Sequence, residues 1–351
     1  MRLRGLSRTF GGVAALRGVN LDVAEGEFFT IVGPSGSGKS TLIRLIVGMD
    51  SASAGQIMLR GAPIDDMPAN ARPMCMVFQS LALFPHMSVG QNIAFPLKIR
   101  KDPPATRDAR VKELLDLVRL PHAAMGKRIA ECSGGEQQRV ALARALAFDP
   151  DILFFDEPLA ALDYRLRKTL ERELKDLQTR TGKTFIYITH SLEEAMLLSD
   201  RIAVMKDGQI VQTGTPDDIY SAPNSRFVAA FMGEVNLFAV TAGADGALTG
   251  AGLRAAHGVQ QTALPQAETG LLMVRPEHLC FAQDGETFDY ALEGVITAAH
   301  MLGSRMQYQI AGPGGTVLTV EHLGGRRLPD AVGRPVTLGF DAARAHLIRE
   351  P

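Results

Sequence analysis

The chain has 351 residues, with 37 Lys and Arg against 38 Asp and Glu and a formal net charge of −1. This length exceeds the ~250–300 residues at which single cores stop growing, so a large domain plus a smaller one is expected, and the charge balance offers no basic field for a nucleic-acid backbone, so nucleic acid is not expected as a partner. Three cysteines, Cys75, Cys132 and Cys280, stand far apart without CxxC or His-rich metal spacing, which fits a reducing compartment; no apolar leader and no uncharged run near the ~20 residues of a bilayer span is read, so a membrane would be served from its surface.

From residue 28 to about 205, short apolar runs alternate with helical patterns, as a mostly parallel sheet covered by helices requires. The first run, 28–32, leads into Gly33-Pro34-Ser35-Gly36-Ser37-Gly38-Lys39-Ser40-Thr41 and then an amphipathic helix. That setting is what a phosphate-binding loop needs. The glycines let backbone N–H groups converge on phosphate oxygens at a helix N-terminus. Lys39 adds a full positive charge, and the Ser40 hydroxyl is placed for Mg²⁺. Further on, the stretch 80–89 (Ser80-Leu81-Ala82-Leu83-Phe84-Pro85-His86-Met87-Ser88-Val89) is unusually apolar, the character of either core filling or an interface.

Cys132-Ser133-Gly134-Gly135-Glu136-Gln137-Gln138-Arg139 reads as a helix start in which Ser133 and Glu136 form a capping box, with two glycines that let a phosphate approach. The next strand, 152–155, ends on Asp156 and Glu157. Both carboxylates are expected at the carboxyl edge of the sheet, beside the phosphate loop. Asp156 is the natural Mg²⁺ partner, through water, and Glu157 is placed to polarise the water that attacks a γ-phosphate. A strand over 185–188 precedes His190, with Ser191 and Glu194 as a candidate capping pair. After a strand at 202–205, Lys206-Asp207-Gly208 predicts a hairpin turn, and Thr215-Pro216 a helix start. Beyond residue 235, short β-branched segments at 271–274, 294–297, 317–320 and 336–340 lie between Gly- and Pro-rich turns, the pattern of a small β barrel. There is one phosphate loop in the sequence.

Together these features define a phosphate-loop ATPase, a class shared by many ATP-driven machines. The 132–139 segment narrows it, because it resembles the signature sequence of ATP-binding-cassette (ABC) ATPases. The resemblance implies an α/β phosphate-loop NTPase cassette with a helical subdomain over 1–234, followed by an all-β, OB-like (TOBE) domain over 235–351, of which Met273-Val274-Arg275-Pro276-Glu277-His278 is the most recognisable piece. It implies ATP and Mg²⁺ as cofactors. Phe10 stands where the family stacks an aromatic on adenine, and Gln79 where it touches Mg²⁺ and water. His190 matches the histidine that contacts the γ-phosphate, and Asp163 the loop that crosses between subunits. Ser133, Gly134, Gly135 and Glu136 would then meet ATP held by a partner chain. Three positions depart from the usual pattern: Cys132 for leucine, Glu136 for glutamine and Ala161 for serine.

In this reading neither chain completes a site alone, so a homodimer is expected. The resemblance also implies a separate transmembrane permease contacted through 80–89, an indirect link to a solute-binding protein, and a peripheral place on the cytoplasmic face of the inner membrane. The run from Arg72 to Val89 looks closest to importers of polyamines (spermidine and putrescine), with ferric iron or another small solute as the alternative. Two rival readings are a soluble, non-transport ABC ATPase, whose members carry two cassettes or long coiled-coil insertions that this sequence lacks, and an exporter ATPase, against which the C-terminal barrel and the lack of an exporter-like loop before Ser133 argue.

Overall fold

The computed structural model describes residues 1–160, 162–243, 248–250, 252–256, 268–283, 286–324 and 331–349. Ala161, one of the three departures, lies outside them. The chain divides into two compact units, Met1–Pro216 and Asp217–Pro351.

In the first unit the elements run β1 (Arg2–Phe10), β2 (Val13–Asp22), β3 (Phe28–Val32), α1 (Lys39–Ile46), β4 (Ala54–Leu59), β5 (Ala62–Pro63), β6 (Met74–Val77), α2 (Val89–Ile99), α3 (Pro104–Leu117), α4 (Gly134–Ala147), β7 (Ile152–Asp156), α5 (Tyr164–Thr181), β8 (Thr184–Ile188), α6 (Leu192–Leu198), β9 (Arg201–Lys206) and β10 (Gln209–Gly214). The central sheet has the order β10-β9-β3-β8-β7-β6, parallel except for β10. Its inner strands β3, β8 and β7 are apolar on both faces, as a sheet covered twice must be. Phe28, Phe155, Phe185 and Tyr187 point to the side that receives α2, α3, α4 and α5. Phe29, Ile31, Phe154, Ile186 and Ile188 point to the side packed with α1, β1 and β2. The period of two along each strand produces this division.

A second sheet, β2-β1-β4-β5, is antiparallel. It falls outside the strands expected from the sequence, and the reason lies in its irregularity. The β1–β2 register slips between Leu3 and Leu6, between Leu6 and Arg8, and again between Arg8 and Thr9. Each bulge breaks the apolar alternation by which a strand is read.

The second unit holds α7 (Pro216–Ser221, beginning at the unit boundary), α8 (Arg226–Phe231), β11 (Asn236–Ala242), β12 (Leu248–Thr249), β13 (Arg254–Ala255), β14 (Thr269–Val274), β15 (Cys280–Phe281), β16 (Tyr290–Leu302), β17 (Arg305–Ala311), β18 (Val317–Leu323), β19 (Pro335–Phe340) and β20 (Ala345–Ile348). Two antiparallel sheets, β12-β11-β14-β20 and β15-β19-β16-β17-β18, enclose one core that includes Phe238, Leu272, Tyr290, Tyr308 and Phe340. Asn236 joins the sheets: its side-chain amide donates to Thr319 O and accepts from Thr319 N, both at 2.8 Å. The stretch 217–234 belongs to this unit because Arg275 binds it. The guanidinium, 1% exposed, donates to Tyr220 O, Ala229 O and Glu234 O at 2.8, 2.9 and 3.1 Å. Arg275 thus binds carbonyls in the last turns of two short helices and just beyond the second, where intrahelical donors run out.

Candidate functional site

The phosphate loop occupies the turn from β3 into α1, and its shape follows from two close approaches. Gly38 has φ +102°, and a Cβ there would lie 2.8 Å from Ala15 O. At Gly33, φ +158°, a Cβ would meet Met205 O at 2.3 Å. Only glycine fits either place. The loop is clamped from outside by the β9–β10 turn, where Gly208 N donates to Ser37 O at 3.0 Å and Gly208 O accepts from Arg17 N at 2.9 Å. The sequence marks Gly208 as a turn residue, but nothing in it indicates that this turn and Ala15 shape the phosphate loop.

Lys39 is the first residue of α1 and is 5% exposed. Its ammonium donates to Gly33 O at 2.8 Å, Pro34 O at 2.9 Å and Ser37 Oγ at 3.4 Å. All three N–H donors are therefore directed within the loop. Burial pushes the Lys39 ammonium below its ordinary range, and the Glu157 and Asp156 carboxylates oppose that shift.

Asp156 ends β7 and pairs with Ile188 of β8. Burial raises its carboxyl above the ordinary range, the Glu157 charge adds to this, and Lys39 and His190 partly offset it. Glu157 follows with φ +48°, a left-handed conformation for a residue with a side chain, which costs of order 1–3 kcal/mol and persists only where surroundings enforce it. Its backbone N–H donates to Ile188 O at 3.0 Å, and its carboxylate meets His190 Nε2 at 2.5 Å. The carboxyl ends of β7 and β8 thereby present Glu157 and His190 side by side.

A cavity of about 330 Å³ is lined by Ala15, Ser35, Gly36, Gly38, Lys39, Ser40, Thr41, Glu157 and His190. Gly33, Pro34 and Ser37 are joined to it through Lys39. The remaining expected residues stand elsewhere. Gln79 is exposed, two residues beyond β6 at the same carboxyl edge of the sheet. Phe10 ends β1, 45% exposed, with the Arg8 guanidinium 4.5 Å from its ring centroid. Asp163 caps α5, accepting from Leu166 N at 3.1 Å.

The start of α4 is also outside the cavity. Ser133 and Glu136 form the expected capping box, with Glu136 N donating to Ser133 Oγ at 3.3 Å and Ser133 N donating to the Glu136 carboxylate at 2.7 Å. Lys127 Nζ donates to the other Glu136 oxygen at 3.0 Å, and these bonds hold the Glu136 carboxyl below the ordinary range. Ser133 and Gly134 face solvent, whereas Gly135 is buried.

The Ser191–Glu194 capping pair is only half present. Ser191 Oγ accepts from Glu194 N at 3.2 Å, but the Glu194 carboxylate turns inward, 3% exposed, and accepts from Tyr187 OH at 2.9 Å and Thr189 Oγ1 at 2.7 Å. A buried carboxylate needs such donors, and Ser191 N already donates to Thr189 Oγ1 at 2.9 Å.

In the 80–89 segment, Leu81 and Leu83 pack against the core. Phe84 lies 4.6 Å from Phe95, centroid to centroid, and is held by Asn92, whose amide accepts from Phe84 N at 2.9 Å and donates to Phe84 O at 3.1 Å. His86, Met87 and Ser88 line a second, open cavity of about 810 Å³ together with Phe95, Ile99 and Met125.

A sequence family described as ABC transporter matches residues 16–160, and the TOBE domain family matches 272–348. The spermidine/putrescine import ATP-binding protein PotA of Ruegeria pomeroyi is 42% identical over 99% of this chain and 96% of its own length. The chain belongs to the ABC transporter ATPases. Within that family, PotA of Mesorhizobium japonicum is 49% identical over 82% of this chain and 79% of its own. The Fe(3+) ions import ATP-binding protein FbpC of Rhizobium etli is 40% identical over 96% and 94%. Among solved structures, the dimeric ATP-binding cassette MJ0796 in a post-hydrolysis state with ADP and Pi aligns with TM-score 0.54 and 31% identity, covering 61% of this chain and 98% of that one. The cbiO1 protein of Clostridium perfringens, part of the cbiONQ transporter complex, aligns with TM-score 0.59 and 31% identity over 62% and 89%. This ABC protein is accordingly an ATP-binding and ATP-hydrolysing cassette that carries a TOBE domain. Among the described residues no helix is long and apolar enough to cross a membrane.

Proposed function

We propose that this ABC ATPase energises import of a polyamine through a separate membrane permease, as a homodimer on the cytoplasmic face of the inner membrane. Residues 1–234 carry the cassette sequence, of which 217–234 packs with the second unit, and 235–351 act as a dimer-stabilising or regulatory domain. The observation that carries the hydrolytic part is the convergence of Lys39, Glu157 and His190 on one cavity at the start of α1.

In this reading the residues 33–41 hold the ATP phosphates, and Lys39 exchanges its loop acceptors for phosphate oxygens. Phe10 stacks on adenine. The Glu157 carboxylate takes a proton from water as that water's oxygen bonds to the γ-phosphorus, and the bond from phosphorus to the β-phosphate oxygen breaks to release ADP. His190 steadies the γ-phosphate. A divalent ion fits the donor set: the Asp156 carboxyl is raised by burial beside Glu157, a penalty that a cation relieves. Mg²⁺ keeps water and takes phosphate oxygens, so it needs few protein ligands. Ser40, Gln79 and Asp156 would hold it, and its charge would neutralise the phosphates. Ser133, Gly134, Gly135 and Glu136 of one copy would close on the ATP of the other, with Asp163 at the crossing between them.

The two PotA relatives support a polyamine as cargo, and the FbpC relative makes ferric iron the second reading. A solute-binding protein would deliver either one. The open cavity beside His86, Met87 and Phe95 supports the 80–89 segment as the permease contact. Replacement Glu157→Gln tests the site: ATP binding should persist while turnover falls by roughly 10²–10⁴-fold, and an ATP-loaded dimer should accumulate in size-exclusion chromatography. A variant that keeps most of its ATPase activity removes Glu157 from the reaction.

A further inference from the structure

His190 needs more than its own strand to hold it against Glu157, because it lies beyond the last ladder residue of β8 and is half exposed. The residue before it, Thr189, is 4% exposed. Its hydroxyl donates to Glu194 Oε2 at 2.7 Å and accepts from Ser191 N at 2.9 Å. Tyr187 OH donates to the same Glu194 oxygen at 2.9 Å. One buried carboxylate oxygen therefore fixes two positions on the strand end that carries His190.

The other oxygen faces a different element. Glu194 Oε1 lies 4.0 Å from Arg167 Nε, in the first turns of α5. Arg167 is also tied to the loop before α5: its Nη2 donates to Leu162 O and its backbone N–H to Asp163 O, each at 2.9 Å. Arg167 Nε is buried and lacks a hydrogen-bond partner among the described residues. The neighbouring Lys168 is held by Glu171 at 3.0 Å and Glu193 at 2.7 Å, and among the described residues Arg167 is the cation within 4.0 Å of Glu194. Closing the remaining gap to a charge-assisted hydrogen bond takes a shift of about 1 Å.

We propose that Arg167 and Glu194 are positioning residues that couple the 162–163 loop to His190, so that a shift of that loop sets the orientation of the γ-phosphate contact. This rests on the hydrolytic reading of His190 and Glu157. A loop displacement carries Arg167 toward or away from Oε1. The charge on Oε1 then changes how strongly Oε2 holds the Thr189 hydroxyl, because the partners of a buried carboxylate share one desolvated group.

The test uses the full chain and reads steady-state ATPase, ATP affinity and melting temperature for Arg167→Met, Glu194→Gln and the double variant. Each single change is expected to lower kcat about tenfold with KM for ATP unchanged, and the double variant to be no worse than the more impaired single one. Thr189→Val, which removes the hydroxyl at constant shape, should lower kcat likewise, and Thr189→Ser should restore it; this pair remains informative if Glu194→Gln does not fold. Additive losses, a kcat loss that tracks the fall in melting temperature, or equal rates for Thr189→Val and Thr189→Ser overturn the coupling. Failure of the hydrolytic reading itself is seen separately, as retained turnover in Glu157→Gln.

Discussion

The starts of α1 and α4 are both glycine-bearing helix N-termini able to receive a phosphate, and they are built in opposite ways. At α1 the chain folds inward. Ser37 and Lys39 are buried, Gly38 lies in a left-handed conformation against Ala15, and no side chain caps the helix. At α4 the chain faces out, with Ser133 and Gly134 exposed and the helix capped by its own Ser133–Glu136 box. The first arrangement gathers a lysine and a carboxylate–histidine pair around one cavity. The second stands away from that cavity, capped within its own chain, as half of a site whose other half is in a second copy would be.

The contrast should be visible in the glycines. Gly38→Ala combines a left-handed φ with a Cβ 2.8 Å from both Ala15 O and Leu16 Cδ2, so a loss of more than about 1 kcal/mol is expected in denaturant unfolding, together with loss of ATP binding. In Gly134→Ala the new Cβ finds, among the described residues, only Leu162 Cδ2 at 3.5 Å, an ordinary contact in a helix. Stability there should stay level or rise by less than about 1 kcal/mol, while ATP-driven dimer closure weakens. Equal stability losses would mean that the two starts are not built differently.

A smaller effect separates the carboxylates that flank α1 from the capped Glu136. The folded Asp156 carboxyl is raised above 3.8, so the folded state binds more protons than the unfolded one from pH 3.8 up to the folded value. Stability contributed by this group is thus present at low pH and lost as pH rises through that window. Asp156→Asn should raise the melting temperature of the nucleotide-free protein near pH 7, with the gain vanishing below about pH 4. Glu136, held below its ordinary range by Ser133 and Lys127, has the opposite sign, and Glu136→Gln should lower the melting temperature near pH 7.

Much of the first unit is legible in the sequence because its buried strands are short, uniformly apolar runs: 28–32 coincides with β3, and the other three runs differ from β7, β8 and β9 by one or two end residues. The Ser133–Glu136 box is legible because both partners lie within one turn. What sequence spacing misses is what depends on distant neighbours. Ala15 and Gly208 shape the phosphate loop from another sheet and another turn. Glu194 has the spacing of a capping residue but is drawn inward by Tyr187 and Thr189. Arg275 stands out within a recognisable segment, yet only the fold reveals the helix carbonyls that it collects.

If the two helix starts serve one ATP from two copies of the chain, inactive variants of each should complement one another. A heterodimer of Ser133→Arg with Lys39→Ala carries both defects in one site and neither in the other, whereas each variant homodimer carries one defect in both. With Glu157→Gln present throughout to hold the closed state, ATP-dependent dimerisation of the mixture is measured against each variant alone. The mixture is expected to recover ATP binding and closure at its intact site. No gain in the mixture, with heterodimers demonstrated by differential tagging, would contradict that sharing of one ATP.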